Sequence, residues 1–161
     1  MRVIGVDPGT AITGWGVVEG SGSDLKMIAV GTITTSAGTP LPERLQIIYR
    51  ELTVIIGQWQ PSTAAIEELF FSKNAKTALA VGHGRGVAML ALANADLSIT
   101  EYKPLEVKQA ITGHGGADKK QMQQMVKLLL ALEDIPRPDD AADALAIAIC
   151  HLHSARLRLL E

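Results

Sequence analysis

The residues best placed to do chemistry in this 161-residue chain are acidic, and they stand in apolar surroundings. Asp7 ends the run "VIGV" and is followed at once by the Pro8–Gly9 turn. Glu67 and Glu68 follow the apolar "TAAI", and Asp139, Asp140 and Asp143 open the otherwise apolar "PDDAADALAIAI". A carboxylate in such a setting costs free energy unless something positive neutralises it. Alternation along a strand sends Glu67 and Glu68 to opposite faces, so only one of them can accompany Asp7. Asp140 and Asp143, spaced i, i+3, share one face of a helix. Asp139, at i, i+4 from Asp143, competes for that place, although its simpler role is to cap the helix. The helix dipole favours an acid in the first turn, so one aspartate there requires no function, but Asp143 lies a turn further in.

Several carboxylates that converge repel one another, and divalent cations remove the repulsion. Oxygen donors without a thiolate or imidazole pattern suit Mg²⁺ or Mn²⁺ rather than Zn²⁺. Two such ions about 3.5–4 Å apart can activate water and stabilise the leaving oxygen in phosphodiester hydrolysis. The alternative on spacing alone is a set of unrelated surface acids.

These acids need particular elements to position them. Residues 2–7, 13–19 and 25–34 are rich in Val, Ile and Thr with short turns between them, which predicts a three-stranded meander. "TPLPERLQIIYRELTVIIGQWQP" predicts a helix with Pro42 in its first turn and Leu45, Ile48, Leu52 and Ile55 at helical spacing. "TAAIEELF" predicts a fourth strand, parallel to the first after a helical crossover. Residues 74–95 predict a long helix with Ala75, Ala78, Gly82, Gly86 and Ala93 on one side. Each helical glycine costs about 1 kcal/mol relative to Ala, so these imply close approach of another helix, from the same chain or a partner subunit. "LSITEY" predicts a fifth strand, and "PLEVKQAIT", 118–131 and 139–158 predict three more helices. The sum is one α/β domain with a mixed sheet over residues 1–161.

Hydrophobic residues make up 47% of the chain and aromatics 4%, so aliphatic side chains must fill the core. One cysteine, Cys150, excludes an internal disulfide and suits a reducing compartment. No basic-then-apolar leader opens the sequence, and no apolar run is long enough to span a bilayer. The expectation is a cytoplasmic, nucleoid-associated protein with no membrane contact. Net charge is −2, yet residues 73–127 hold eight Lys/Arg against four acids, a locally basic face for a polyanion.

Four stretches, "GVDPGTAITGWGVV", "AIEELFFSKNAKTALAVGHGRGVA", "VKQAITGHGGADKKQMQQMV" and "DDAADALAIAICH", resemble in order the motifs of the RuvC-type Holliday junction resolvases, over residues 2 to 153. The resemblance implies an RNase H-like fold, with a mixed five-stranded sheet of three antiparallel hairpin strands plus parallel strands, flanked by helices. It implies a homodimer that cuts four-way junction DNA with two divalent ions per active site, in recombination and repair. Motif by motif it implies that Asp7, Glu67, Asp140 and Asp143 are the catalytic and metal-binding acids, favouring Glu67 over Glu68 and Asp140 over Asp139. Glu68 departs from the uncharged residue common at its position.

The same resemblance implies DNA-facing roles for Lys108 and Lys119, an aromatic wedge at Phe70, and a DNA contact at Arg85. The alternative for Arg85 is a partnership with an acid. Lys73 and Lys76 could hold phosphates beside Phe70 and Phe71, since exposed aromatics stack on unpaired bases. A branch-migration complex of RuvA/RuvB type is the implied partner. His83, His114, His151 and His153 read as structural. "VDPGT" also resembles a phosphate loop of actin- and sugar-kinase-like ATPases, but 161 residues leave no room for their second domain.

Overall fold

The computed structural model describes residues 1–21, 23–68 and 74–158. Strands β1 (Arg2–Asp7), β2 (Ile12–Ser21) and β3 (Asp24–Thr34) form the antiparallel meander. Helix α1 (Leu41–Trp59) carries the chain over to β4 (Thr63–Glu67), which lies parallel to β1. Helix α2 (Ala75–Asn94) leads to β5 (Ile99–Tyr102), parallel to β4. Helices α3 (Pro104–Thr112), α4 (Lys119–Leu129) and α5 (Asp139–Arg158) follow. The strand order is β3-β2-β1-β4-β5, the mixed sheet that the sequence predicts. The fourth and fifth strands end and begin closer in than expected, at Glu67 and Ile99.

The sheet separates two cores, and strand alternation assigns residues to them. Val3 and Ala65 pack with α3, α4 and α5, among Val107, Val126, Leu145 and Ile149. Ile4, Val6, Ala64 and Ile66 pack on the opposite face with Ile48, Leu52 and Ile56 of α1 and with Ala88 and Leu92 of α2. Every second residue of β1 and β4 therefore faces α5, and the next in each series is Asp7 and Glu67.

Helix α5 lies close on the sheet because glycine lets it. A Cβ on Gly5 would stand 2.1 Å from the Ala144 carbonyl oxygen, and one on Gly14 would stand 2.0 Å from that of Asp140. Gly14 is also the cross-strand partner of Asp7. Glycine in a strand interior is weakening unless another backbone approaches closely, and here the approaching backbone is α5 itself.

Among the described residues, the small side expected on α2 is not the side that packs, so of the two expected neighbours a helix of the same chain is excluded. Its buried positions are Gly84, Ala88, Ala91 and Leu92, at i, i+4, i+7 and i+8. A Cβ on Gly84 would meet the backbone of Gly9 and Thr10 at 3.0–3.2 Å, so the close neighbour is the β1–β2 turn rather than a helix. Gly82 and Gly86 point away from this stripe and have open space beside them.

Candidate active site

Three elements deliver the acids to one place. Asp7 comes from the end of β1 and Glu67 from the end of β4, with the two strands paired in parallel through Val6 and Ile66. Asp140 and Asp143 come from the first turns of α5, seated over Gly14. Their fields overlap. Burial raises the Asp7 carboxyl to about 7 from its ordinary 3.8, and the charges of Asp143, Glu67 and Asp140 add to the rise. Glu67 is also raised, by burial first and then by Asp143. Asp143 is raised by burial, helped by Asp140 and Asp139 and opposed by Lys119. Glu68 lies beyond the strand end, where its N–H donates to the Tyr102 carbonyl at 2.7 Å. Within β4, alternation from Ala65 puts Glu67 on the α5 side of the sheet, the side Asp7 takes from Val3.

The donor set is all carboxylate and suits a hard divalent cation. Among the described residues no three of these donors stand close enough together to enclose an ion. Cationic side chains border the cluster. The Lys119 ammonium lies 3.1 Å from Asp139 and 3.8 Å from Asp143. Its place is set by the first turn of α4, where Asp118 accepts from the Gln121 N–H at 2.8 Å and Gln121 returns a bond at 3.0 Å. A lysine at a helix N-terminus runs against the dipole, and the neighbouring acids offset that cost. Lys108 of α3 lowers the pull toward protonation at Glu67. A cavity of about 270 Å³ is lined by Glu67, Asp143, Lys108 and Lys119, among others.

Asp139 does not act as the cap expected of it. It is the first residue of α5, exposed at the cleft's rim, and its carboxylate binds Lys119 and accepts from Gln123 Nε2 at 3.0 Å. Lys119 holds it below the usual carboxylate range. Arg85 has taken the alternative partnership: it forms an ion pair with Glu101, donates to the Glu67 carbonyl at 3.3 Å, and is only 13% exposed. Lys76 is exposed near the start of α2, on a larger cavity of about 620 Å³ that Asp140 also lines. Phe70, Phe71 and Lys73 lie outside the described residues. His151 is structural: buried on α5, it contacts Tyr102 Oη through Nδ1 at 2.9 Å and Thr63 Oγ1 through Nε2 at 3.4 Å. Cys150, buried with its thiol pushed up to about 12, is inert.

Sequence reasoning missed Gly5 and Gly14, which set how near α5 comes to Asp7. Their signal was present as glycine inside two strand patterns.

The family model of the crossover junction endodeoxyribonuclease RuvC matches residues 3–151. This chain belongs to the RuvC family. The RuvC protein of Chloroflexus aggregans, described as a crossover junction endodeoxyribonuclease, is 62% identical over 96% of this chain and 94% of its own length. The RuvC of Roseiflexus sp. is 58% identical over 96% of this chain and 92% of its own. Among solved structures, T. thermophilus RuvC in complex with a Holliday junction substrate matches with a TM-score of 0.94 and 36% identity, covering 98% of this chain and 96% of that one. The yeast mitochondrial Holliday junction resolvase Ydc2, at 14% identity and a TM-score of 0.67, shares the fold. The four motifs that suggested the RuvC family from sequence therefore pointed correctly, and the RNase H-like sheet is the family's sheet. Among the described residues no helix is long and apolar enough to cross a membrane.

Proposed function

We propose that this chain is a Holliday junction resolvase, a metal-dependent endodeoxyribonuclease that cuts four-way DNA junctions by paired incisions in recombination and repair. The observation that carries the reading is the convergence of Asp7, Glu67, Asp140 and Asp143 from β1, β4 and α5 on one sheet face beside open cavities. Burial first, and the neighbouring acids after it, raise the Asp7, Glu67 and Asp143 carboxyls, and divalent cations relieve both effects. The four side chains would hold two ions, Mg²⁺ or Mn²⁺. When bound, such a pair supplies water activation and stabilisation of the leaving oxygen in an in-line displacement.

The chain's own residues do the rest. Asp7, whose carboxyl feels Asp143, Glu67 and Asp140 together, would hold the ions with those three acids. Lys108 and Lys119 supply fixed positive charge where the phosphoryl oxygens gain negative charge. Phosphodiester hydrolysis in this sense leaves 5′-phosphate and 3′-hydroxyl ends, which a ligase can reseal. Lys76, with Phe70 and Lys73 in the preceding segment, would grip the strands near the crossover.

Symmetric cuts in two strands need two equivalent centres, which a homodimer provides. The outward face of α2 suits such an interface: Leu79 and Leu90 are 64% and 53% exposed, and Gly82 and Gly86 between them leave room for close approach. A RuvA/RuvB-type branch-migration complex is the proposed partner in the cell.

Asp143→Asn is the test. The variant should bind a four-way junction as the parent does, because shape and phosphate contacts carry binding, and should lose metal-dependent cutting. Cutting at near the parental rate would remove the site assignment. Parallel assays on a four-way junction, a plain duplex and an RNA–DNA hybrid separate a resolvase from a general nuclease of the same fold.

A further inference from the structure

The larger cavity, about 620 Å³, lies between the β1–β2 turn, the start of α1 and the first turns of α2. Thr10, Leu41, Arg44, Lys76 and His83 contribute to its lining, and Asp140 joins it to the acid cluster. Lys108 and Lys119 line the other cavity, so a strand crossing the acids meets positive charge on both sides.

Arg44 is the unusual member. Its Nε donates to Thr35 Oγ1 at 2.8 Å, the Thr35 hydroxyl donates to the Thr10 carbonyl at 2.5 Å, and the Thr10 hydroxyl donates to the Ala80 carbonyl at 2.6 Å. This run of bonds ties α1, β3, the β1–β2 turn and α2 together and fixes the guanidinium through one nitrogen. The two terminal nitrogens keep their donors. Arg2 and Arg85 each pair with a glutamate, whereas Arg44, half-buried, forms no ion pair among the described residues. A guanidinium that is anchored in advance and lacks a counter-ion is arranged for an outside anion, and its planar fork matches phosphate.

We propose that this cavity is a second phosphate subsite, in which Arg44, assisted by Lys76 and His83, holds a backbone phosphate of the cut strand next to the scissile one. The proposal rests on the resolvase reading for the identity of the strand. It can fail separately, because its test measures binding without cutting.

The experiment titrates the full chain with a synthetic four-way junction in EDTA across a series of salt concentrations. Arg44→Gln keeps an amide able to reach Thr35 and removes the charge. It should weaken binding and reduce the slope of log affinity against log salt by about 0.9, the share of one phosphate contact on a duplex. Arg44→Lys should retain most of the slope. Thr35→Val should weaken binding while leaving the slope unchanged, because it removes the anchor and no charge. If Arg44→Gln preserves both affinity and slope, or lowers only the melting temperature, Arg44 is a staple between α1 and β3 and the subsite does not exist. Continued cutting by Asp143→Asn would instead refute the resolvase site and leave the Arg44 result standing.

Discussion

Replacing Asp7 by Asn should make the metal-free protein more stable while destroying its activity. The folded state raises the Asp7 carboxyl from 3.8 to about 7, so it holds the proton more tightly than the unfolded chain does. Between those values the native state binds more protons than the unfolded state, and stability therefore falls as pH rises. A tenfold change in proton affinity is worth about 1.4 kcal/mol, which bounds the total at about 4 kcal/mol once the group is fully ionised. Raising the pH from about 5 to about 8 captures roughly 2.5 kcal/mol of that, and partial solvent screening trims the expected loss to about 2 kcal/mol. Chemical denaturation in EDTA at the two pH values measures it directly. Using the difference between parent and Asp7→Asn cancels the histidines and other groups common to both. The parent should lose about 2 kcal/mol more than the variant over this interval, and Mg²⁺ added to the parent should flatten its dependence, because a bound cation takes over the compensation. Equal losses in parent and variant would mean that Asp7 is not held in a repulsive, desolvated cluster, and the electrostatic case for the cation site would fall with it.

Two further outcomes follow from the geometry. Gly14→Ala forces a Cβ to within 2.0 Å of the Asp140 carbonyl, so α5 must lift. Denaturant melts should show a loss of about 1–3 kcal/mol, and single-turnover cleavage should slow by about 100-fold, since a misplacement near 1 Å costs that much; the control Gly57→Ala, facing open space in α1, should be neutral or slightly stabilising. Asp139→Asn should slow single-turnover cleavage by about 2- to 5-fold, the scale of an exposed ion pair, and should add nothing in a Lys119→Ala background if Asp139 acts only by holding that ammonium.

The sheet was legible because its strands advertise themselves: β-branched runs, short turns, and a crossover helix with apolar residues at regular spacing. The acids were legible for a related reason. A charge that interrupts an apolar run is costly, so Asp7, Glu67 and Asp143 stood out before any arrangement was known. What could not be read was distance. The stripe of α2 that packs is set by which glycine meets the β1–β2 turn, and nothing local distinguishes Gly84 from Gly82 or Gly86. Asp139 looked like a cap because helix starts favour acids, but Lys119 and Gln123, brought across from α4, claim its oxygens instead. Arg85 is the same lesson with the opposite charge, since its partner Glu101 is supplied by β5.

The site is therefore built against its own electrostatics, and the backbone supplies the force. Gly5 and Gly14 remove the side chains that would otherwise hold α5 away, so burial of Leu145, Ile147 and Ile149 against the sheet brings Asp140 and Asp143 toward Asp7. Three large aliphatic side chains with almost no exposure contribute about 1.5–3 kcal/mol each, enough to outweigh the repulsion at the central carboxylate. Packing in the core thus holds the acids at a separation that charge alone would widen. The unfavourable energy stored there is what a bound divalent cation would relieve.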